Sequence, residues 1–284
     1  MFPRPLAEAP VSHRLIYRVA LPAALGFWLL PLAAVAFTSA RTSADLARGN
    51  YWGWPTETSL LENYRTVLTA SPTGQFLLNS LVITIAAVAA TLAISTMAAY
   101  VLAKHRLPGS GAILMLFIAG NFVPYQILMI PVRDLMVEAI PIYDTRFALI
   151  LFHTAFQTGF CTFFLANFMR ELPEEMIEAA RLEGASEFRI LRSVIVPLVR
   201  PALAALAVLE FTFIWNDYFW SLVLVQSDAV RPVTAGLQAL RGMYLTSWNL
   251  MAAAATLAAL PPVLIFYLAQ RHVAAGLSFG AKVG

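Results

Sequence analysis

The stretch LPEEMIEAARLEGASEFRILRSVIVPLVRP, Leu172–Pro201, is the longest strongly polar segment of the chain and carries nine charged side chains. Pro173 suits the first position of a helix, because the N–H that it lacks would be unpaired there in any case. Gly184 suits the left-handed residue that ends a helix, and Ser186 can cap a second helix. Pro197 ends or bends that second helix. The stretch therefore predicts a helix, a sharp turn and another helix.

The rest of the chain is dominated by apolar residues. Sixty per cent of all residues are hydrophobic and 12% are charged, whereas about 25% are charged in a typical soluble domain. This composition places the chain in a membrane. Motifs for nucleotide phosphates, zinc proteases and serine hydrolases are absent, and the four His are scattered. We expect no catalytic residue, no metal site and no nucleic-acid partner. If the protein uses energy, that energy comes from another subunit.

Six segments are apolar enough and long enough to cross a bilayer as helices, which takes about 20 residues. They predict an all-α, polytopic membrane protein that forms a single transmembrane domain over residues 1–284. The first apolar run is longer than the 7–15 residues of a signal-peptide core, so we expect it to be retained as a span. The predicted spans are 19–37, 76–103, 112–132, 147–169, 202–225 and 250–269.

The distribution of basic residues predicts the orientation of these spans. With the N-terminus in the cytoplasm, twelve of the nineteen Lys and Arg residues lie on the inner side and seven lie outside. Inner loops of membrane proteins carry the excess of Lys and Arg. We therefore expect both termini in the cytoplasm. The polar loop 171–200, between the fourth and fifth spans, is expected on the same side.

The longest outer loop contains two notable patterns. The cluster Gly49–Pro55 (GNYWGWP) is turn-forming and aromatic, as is common near a membrane interface. The run SLLENYRTVL, Ser59–Leu68, places Leu60, Val67 and other apolar residues on one helical face. It predicts a short helix along the membrane surface, with a structural role favoured over contact with a ligand or partner.

Glu210 and Asp217 are the only acidic residues within the predicted spans. They are seven residues apart, so a continuous helix would place them on nearly the same face. Buried carboxylates are costly in a membrane and often serve function. Asp217 follows Trp215 and Asn216 in an aromatic, hydrogen-bonding stretch suited to stacking on a sugar face. The alternative is that Asp217 reaches the outer surface and anchors the helix.

Other polar side chains within the spans are candidates for lining a substrate path. Hydrogen bonds between helices explain such groups without a ligand, and we favour that explanation for each of them and for Asn79 and Ser80. The candidates outside the fifth span are Asn121, Tyr125, Gln126, His153 and Gln157.

A longer motif runs through the polar stretch. Glu178-Ala179-Ala180, three residues, Gly184, nine residues and then Val194-Ile195-Val196-Pro197 resemble the EAA motif of binding-protein-dependent ABC importer permeases. The two valines replace Ile and Leu of the family pattern. The segments LENYRTVL, YDTRFALILFHTAF, FIWNDYFWSLVLV and QRHVAAGLSFGAKVG resemble the carbohydrate-uptake branch, and within it the smaller, maltose-transporter-G-type permease.

The resemblance implies a set of partners in the bacterial inner (plasma) membrane. These are a second permease subunit that completes a heterodimer, two cytoplasmic ATPase subunits, an extracytoplasmic solute-binding protein and the surrounding lipid. ATP and Mg would be bound by the ATPase, and this chain would bind no cofactor. The tail Ser278–Gly284 would reach the interface of the ATPase subunits.

The resemblance also implies a function, the ATP-driven import of a sugar or related solute by alternating access. One alternative is an ion- or proton-coupled secondary transporter that uses Glu210 or Asp217. The other is an intramembrane enzyme, for which only His153 with Gln157 or Cys161 is available and no motif gives support. In the importer, a coupling helix between spans four and five would contact the ATPase. The residues expected to take part in coupling are Met176, Ile177, Glu178, Ala179, Ala180, Gly184 and Pro197.

Overall fold

A computed structural model describes residues 11–105, 107–243 and 247–279, and these residues form helices joined by turns and loops. Within these ranges the one β-type pairing is an isolated bridge between Arg41 and Thr58, so the all-α prediction is confirmed. The helices are α1 (Val11–Ser39), α2 (Ser43–Ala47), α3 (Leu60–Thr69), α4 (Thr73–Lys104), α5 (Ser110–Gly120), α6 (Met129–Asp134), α7 (Arg146–Arg170), α8 (Glu174–Leu182), α9 (Glu187–Ile190), α10 (Val196–Leu198), α11 (Arg200–Trp215), α12 (Phe219–Leu224), α13 (Val233–Met243) and α14 (Trp248–Phe279).

Four of these helices are long and apolar enough to cross a membrane by themselves. They correspond to the predicted first, second, fourth and sixth spans, and two further candidates are pairs of helices joined at a bend. The described residues thus provide four spans, or up to six if each bent pair counts as one. The single-helix spans are Leu15–Ser39, Thr73–Lys104, Arg146–Arg170 and Trp248–Gln270.

The predicted third span, 112–132, is not one continuous helix. Helix α5 ends at Gly120, and the chain resumes as a 3-10 turn over Tyr125–Leu128, followed by α6 and a π turn over Leu135–Ala139. The two parts meet at 86°. Pro124 has an extended conformation (ψ 111°), and a proline also disfavours helical geometry in the residue before it. The predicted third span is therefore present as a bent pair of helices that can together count as one span.

The predicted fifth span, 202–225, is also interrupted. Helix α11 ends at Trp215 and α12 begins at Phe219. Asn216 bonds back to the Thr212 carbonyl (2.9 Å), and such bonds compete with helix continuation. Asp217 therefore lies beyond the end of α11, and the prediction that it shares a helix face with Glu210 was wrong.

The polar stretch forms the predicted helix, turn and helix. Helix α8 begins one residue later than expected, with Pro173 as its N-cap. Gly184 is left-handed (φ 80°), and the Ser186 hydroxyl accepts a bond from the Arg189 N–H (3.4 Å). Pro197 is the second residue of α10, two positions after the π turn Leu191–Ile195, and its missing N–H cannot join an α-helical ladder.

Beyond Pro197 the chain bends sharply. The segments Glu187–Leu198 and Arg200–Trp215 meet at 77°, and the bend lies at Val199, between α10 and α11. The end of the second helix near Pro197 is therefore confirmed. We call Leu172–Pro201 the hairpin.

Contacts between residues divide the chain into two units. One contains residues up to Ser71 together with Leu240–Leu257, and the other contains Pro72–Ala239 together with the residues from Ala258 onward. In the second unit α4 and α7 pack against each other more extensively than any other pair of helices, and α11 packs on both. Two buried apolar clusters stabilise this unit. One includes Leu165, Ile190, Ile195 and Leu206, and the other includes Leu149 and Leu224.

In the first unit, α3 confirms the predicted short helix. Val67 is buried, but Leu61 and Leu68 are exposed, and the buried polar residue is Asn63. Asn63 donates to the carbonyls of Ser39 and Arg41 (2.8 Å each). The helix is therefore held by a buried amide, a contact that its apolar pattern did not predict.

Candidate functional site

The hairpin presents one packed face and one free face. Ile177 is buried in the core of its unit, and Ala180 packs against that core. Leu182 is 90% exposed, and Met176 and Phe188 are also exposed. An exposed apolar surface of this kind is typical of a contact site for another protein or for lipid.

The residues predicted for coupling divide between these two faces. Ile177 and Ala180 point to the bundle, whereas Met176, Glu178 and Ala179 are exposed. Gly184 forms the turn, and Pro197 lies close to the bend that joins the hairpin to α11. The geometry is suited to docking, because the inward residues hold α8 in place while the outward ones remain accessible.

A polar cluster attaches the hairpin to the end of α4. The Tyr100 hydroxyl donates to Glu187 Oε2 (2.6 Å), and Arg181 donates through Nε to Glu187 Oε1 (2.8 Å) and through Nη2 to Oε2 (3.3 Å). His105 Nε2 lies 3.4 Å from the same Oε2. The hydrogen bond from Arg181 to the Glu187 carboxylate raises the pKa of Arg181. We call these four residues the Glu187 cluster.

A second contact joins the same elements. Lys104 Nζ donates to the Leu172 carbonyl (2.7 Å), at the start of the hairpin. Sequence reasoning missed Tyr100, Lys104 and His105 as partners of the hairpin. The one available signal was their position at the end of the predicted second span, on the side assigned to the hairpin.

Glu210 is fully buried on α11. Its Oε1 accepts a bond from the Cys161 thiol of α7 (3.3 Å), and its Oε2 has no hydrogen-bond partner in the described ranges. A buried carboxyl with a single weak donor is costly when ionised. The contact joins α7 to α11 within the core of the bundle.

Asp217 lies between α11 and α12 and organises the start of α12. Its carboxylate accepts from the N–H groups of Trp220 (3.3 Å) and Ser221 (3.1 Å), and its carbonyl accepts from the Thr234 hydroxyl (2.6 Å). His153 Nε2 is 3.7 Å from its Oδ2, and both side chains are largely buried. The carboxylate therefore has a local structural role as well as a histidine partner.

The two acidic residues belong to separate clusters. His153 and Cys161, which contact Asp217 and Glu210 respectively, are eight residues apart on α7, or about 12 Å along the helix axis. The described hydrogen bonds and ion pairs do not link one acidic residue to the other.

The remaining candidates for a substrate path are dispersed. Trp215 is buried and donates to the Ala258 carbonyl (3.0 Å), and Tyr125 packs edge-on against Phe219 at 5.3 Å. The structure brings His153 together with Asp217, and it does not join the others in one hydrogen-bonded site. Asn121 caps α5 and bonds back to the Phe117 carbonyl, and Gln157 is half-buried. The exposed candidates are Tyr125, Gln126 and Asn216.

Asn79 and Ser80 have the structural role favoured for them. Asn79 donates to the carbonyls of Ala229 (3.1 Å) and Arg231 (2.9 Å), and the Ser80 hydroxyl accepts from the Val233 N–H (2.8 Å). Asn79 therefore ties α4 to the loop before α13, and Ser80 ties it to the first residue of α13. Among the residues that the structure describes, no group of three His, Cys, Asp or Glu side chains could hold a metal ion.

Comparison with known proteins gives a consistent result. Residues 92–279 match the family of binding-protein-dependent transport system inner membrane components. The chain is 34% identical over 260 residues to the osmoprotective compounds uptake permease protein GgtD of Synechocystis sp., covering 89% of this chain and 87% of the relative. It is 30% identical over 247 residues to the melibiose/raffinose/stachyose import permease protein MelC of Bacillus subtilis, covering 86% and 89%.

A solved structure shares the fold. It is a bacterial ABC transporter involved in the import of the acidic polysaccharide alginate. One of its chains superposes with a TM-score of 0.80 and 22% identity, covering 93% of this chain and 98% of that chain.

Proposed function

We propose a transport function from one premise: the chain belongs to the family of binding-protein-dependent transport system inner membrane components. It is a permease subunit of an ABC transport system and a polytopic membrane protein. The proposal adds that it imports a sugar or a related polyhydroxy solute. Support for that substrate class comes from the name of the relative MelC and from the aromatic and carboxamide side chains around Asp217.

The proposed complex has the partners that the sequence implies. A second permease subunit completes the membrane part, and two ATPase subunits bind ATP and Mg in the cytoplasm. A binding protein delivers the solute from outside the bacterial inner membrane. In this arrangement both termini and the hairpin are cytoplasmic. Arg4, Arg106 and Lys282, which contribute to that orientation, lie outside the described residues, as does most of the tail Ser278–Gly284.

The proposed mechanism is alternating access with the hairpin as the coupling element. Closure of the ATPase dimer would displace α8, and the spans would then move between inward-facing and outward-facing arrangements. The observation that carries this proposal is the division of α8 into a packed face at Ile177 and a free face at Met176 and Leu182. Its nine residues extend about 14 Å, which is sufficient to lie in a cleft of a partner subunit.

Gly184 provides a test of the coupling role. Its φ of +80° is unfavourable for a side chain, yet no heavy atom lies within 4 Å of a Cβ placed there. Gly184→Val therefore strains the turn without a steric clash in the bundle. We expect uptake to fall about tenfold while ATP hydrolysis by the assembled complex changes less than about twofold. Uptake and hydrolysis are measured together in proteoliposomes with the binding protein and ATPase present.

Gly109→Val is the matched control. Gly109 has φ +81° and equally open surroundings, but it precedes α5 and makes no part of the hairpin. Gly109→Val should leave the ratio of solute transported to ATP hydrolysed at the wild-type value. Normal uptake by Gly184→Val, or equal loss in both variants, would contradict the coupling role of the turn.

The ion-coupled alternative has less support. Both carboxylate oxygens of Asp217 are engaged by the first turn of α12, and the family is defined by dependence on a binding protein. Purification of the chain from its native membrane decides the matter. A stoichiometric ATPase subunit is expected in the purified complex, and transport by the chain without one would favour the alternative.

The solute itself is best identified through the binding protein. We expect that protein to co-purify with the assembled complex when solute is present. Screening saccharides, polyols and glycerol phosphodiesters for a thermal shift of the binding protein then gives the substrate class. Stabilisation by amino acids alone would overturn the proposed saccharide class and leave the permease assignment unchanged.

A further inference from the structure

Glu187 lies where three separate elements of the protein meet. It is the first residue of α9, Arg181 is in α8, and Tyr100 is near the end of α4. His105 caps the end of α4. One carboxylate therefore holds together both helices of the hairpin and the end of a membrane span.

The geometry around this carboxylate is specific. Arg181 approaches with two nitrogens, at 2.8 and 3.3 Å, and a two-pronged guanidinium–carboxylate contact fixes orientation as well as distance. Tyr100 is 3% exposed, and its hydroxyl reaches Oε2 at 2.6 Å. The cluster thus has an exposed end at the Arg181 guanidinium and a buried end at the Tyr100 ring.

The buried end leads into the centre of the bundle. Tyr100 belongs to the apolar core that also contains Leu165 of α7 and Leu206 of α11. Helix α4 is tied further to α7 by a bond from the Ser95 hydroxyl to the Thr158 carbonyl (3.2 Å). A displacement of Glu187 would therefore act directly on α4, the span that packs most extensively on α7.

We propose that Glu187 is a positioning residue for transport, and that it passes the displacement of the hairpin to α4 through Tyr100. This inference rests on the proposed function, because it requires the hairpin to move with an ATPase. Apolar contacts such as that of Ile177 can slide as helices move. The hydrogen bonds of the Glu187 cluster instead fix the distance and the orientation of the Glu187 carboxylate relative to Arg181 and Tyr100. The cluster therefore keeps the hairpin and α4 linked during the movement.

The test separates this role from simple stabilisation of the fold. Glu187→Gln keeps the size of the side chain and removes its charge, and Tyr100→Phe removes the hydroxyl alone. Both are studied in the complete complex in proteoliposomes, with maltose, raffinose and glycerol phosphodiesters as trial solutes. The readout is the number of solute molecules transported per ATP hydrolysed, together with the amount of assembled complex.

We expect either substitution to lower solute transported per ATP by about threefold to tenfold, with the amount of assembled complex unchanged. Combining them should cost little more than the larger single effect, because both remove the same link. A purely structural role would reduce the amount of complex and leave the ratio of transport to hydrolysis unchanged. That result, or independent and fully additive losses, would overturn the proposal.

Two controls make the result interpretable. Glu62→Gln removes a carboxylate from an exposed position on α3 that has no ion pair within the described ranges, and it should leave the ratio unchanged. The unmodified complex tests the proposed function itself. Absence of ATP-driven uptake of every trial solute by that complex would contradict the saccharide proposal, whereas tight coupling in Glu187→Gln would contradict only the role of Glu187. If Glu187→Gln does not assemble, Tyr100→Phe decides the question.

Discussion

Two Arg–carboxylate pairs in this protein have similar separations and very different surroundings. Arg41 and Asp45 are 3.1 Å apart with side chains 2% and 1% exposed. Arg181 and Glu187 are 2.8 Å apart with side chains 39% and 47% exposed. A buried pair cannot lose one partner without leaving an uncompensated charge, whereas solvent screens an exposed pair. Burial, more than distance, indicates which pair stabilises the fold and which is free to take part in movement.

The buried pair organises the loop that contains the aromatic cluster Gly49–Pro55. Arg41 also donates to the carbonyls of Asn50 (2.6 Å) and Gly53. Asp45 accepts from the Asn50 amide (3.0 Å) and from the Thr56 hydroxyl (2.9 Å). We call Arg41, Asp45, Asn50 and Thr56 the Arg41 cluster. It closes the loop from Arg41 to Thr56 around buried polar groups.

The largest expected effect comes from breaking the buried pair. Arg41→Met keeps the length of the side chain and leaves Asp45 buried without its cation. We expect the apparent Tm of the purified complex to fall by roughly 10 °C, because the loop loses three contacts at once. The measurement is thermal unfolding in nanodiscs. A change in Tm smaller than about 2 °C would show that the burial of this pair does not decide its importance.

A smaller change in Tm is expected when the pH is lowered and Asp45 is protonated. The hydrogen bond from Asn50, with bonds from Thr56 and the charge of Arg41, holds the pKa of Asp45 below its ordinary value of 3.8. A carboxyl whose pKa is lowered on folding stabilises the protein above the unfolded value and loses that contribution as the pH falls through the folded value. The difference in Tm between the wild type and Asp45→Asn should be constant from pH 7 to about pH 5.

Below pH 3.8 the difference in Tm between the wild type and Asp45→Asn should shrink, because the Asp45 carboxylate of the wild type is then protonated and loses the charge that the variant lacks. The comparison with Asp45→Asn removes the contribution of other carboxyls that titrate in this range. A difference that grows on acidification would mean that the folded state raises the pKa of Asp45, contrary to its contacts.

The smallest effect on stability is expected at the exposed pair. Arg181→Met is the same substitution as at the buried pair, and we expect it to change Tm by less than about 2 °C, since exposed pairs contribute little. Sodium chloride at about 0.5 M should reduce even that change, because salt screens exposed charges. Arg181→Met should still impair coupling if the Glu187 cluster works as proposed. A loss of stability as large as that of Arg41→Met would remove the distinction between the two pairs.

Local signals in the sequence were sufficient to predict the hairpin. Gly184 and Ser186 act within a few residues of their own position, so their chemistry determines the turn and the cap in advance. The long apolar helices were equally accessible, because hydrophobic length is a local property. The same reasoning gave the motif that resembles the importer family.

The breaks in the third and fifth spans could not be read from hydropathy. Each interrupted segment is apolar enough over its whole length to be predicted as one span, although Asn121 and Asn216-Asp217 lie at the breaks. At the fifth span the break depends on Asp217 and Asn216 bonding to nearby backbone groups. Those side chains can equally well face another helix or a ligand, and only the fold decides among these outcomes.

The residues that contact the two Arg–carboxylate pairs also could not be predicted from the sequence. Tyr100 and Glu187 are 87 residues apart, and no local pattern connects them. Asp45 and Arg41 are close in sequence, but their burial depends on the backbone of Asn50 and Gly53 closing over the Arg41 guanidinium. The Tyr100–Glu187 contact and the burial of the Arg41–Asp45 pair both follow from tertiary structure alone.

The π turn Leu191–Ile195 gives the length of the hairpin a meaning of its own. Such a turn holds one residue more than an α-helical turn, and each residue rotates a helix by about 100°. Inserting or deleting one residue between Glu187 and Pro197 would therefore swing Glu187 about a quarter of a turn away from Tyr100, even with every other side chain unchanged. The number of residues between Gly184 and Val194, which is nine, therefore helps to fix the direction in which Glu187 points about the helix axis. Substitutions can leave that direction unchanged, whereas an insertion or a deletion cannot.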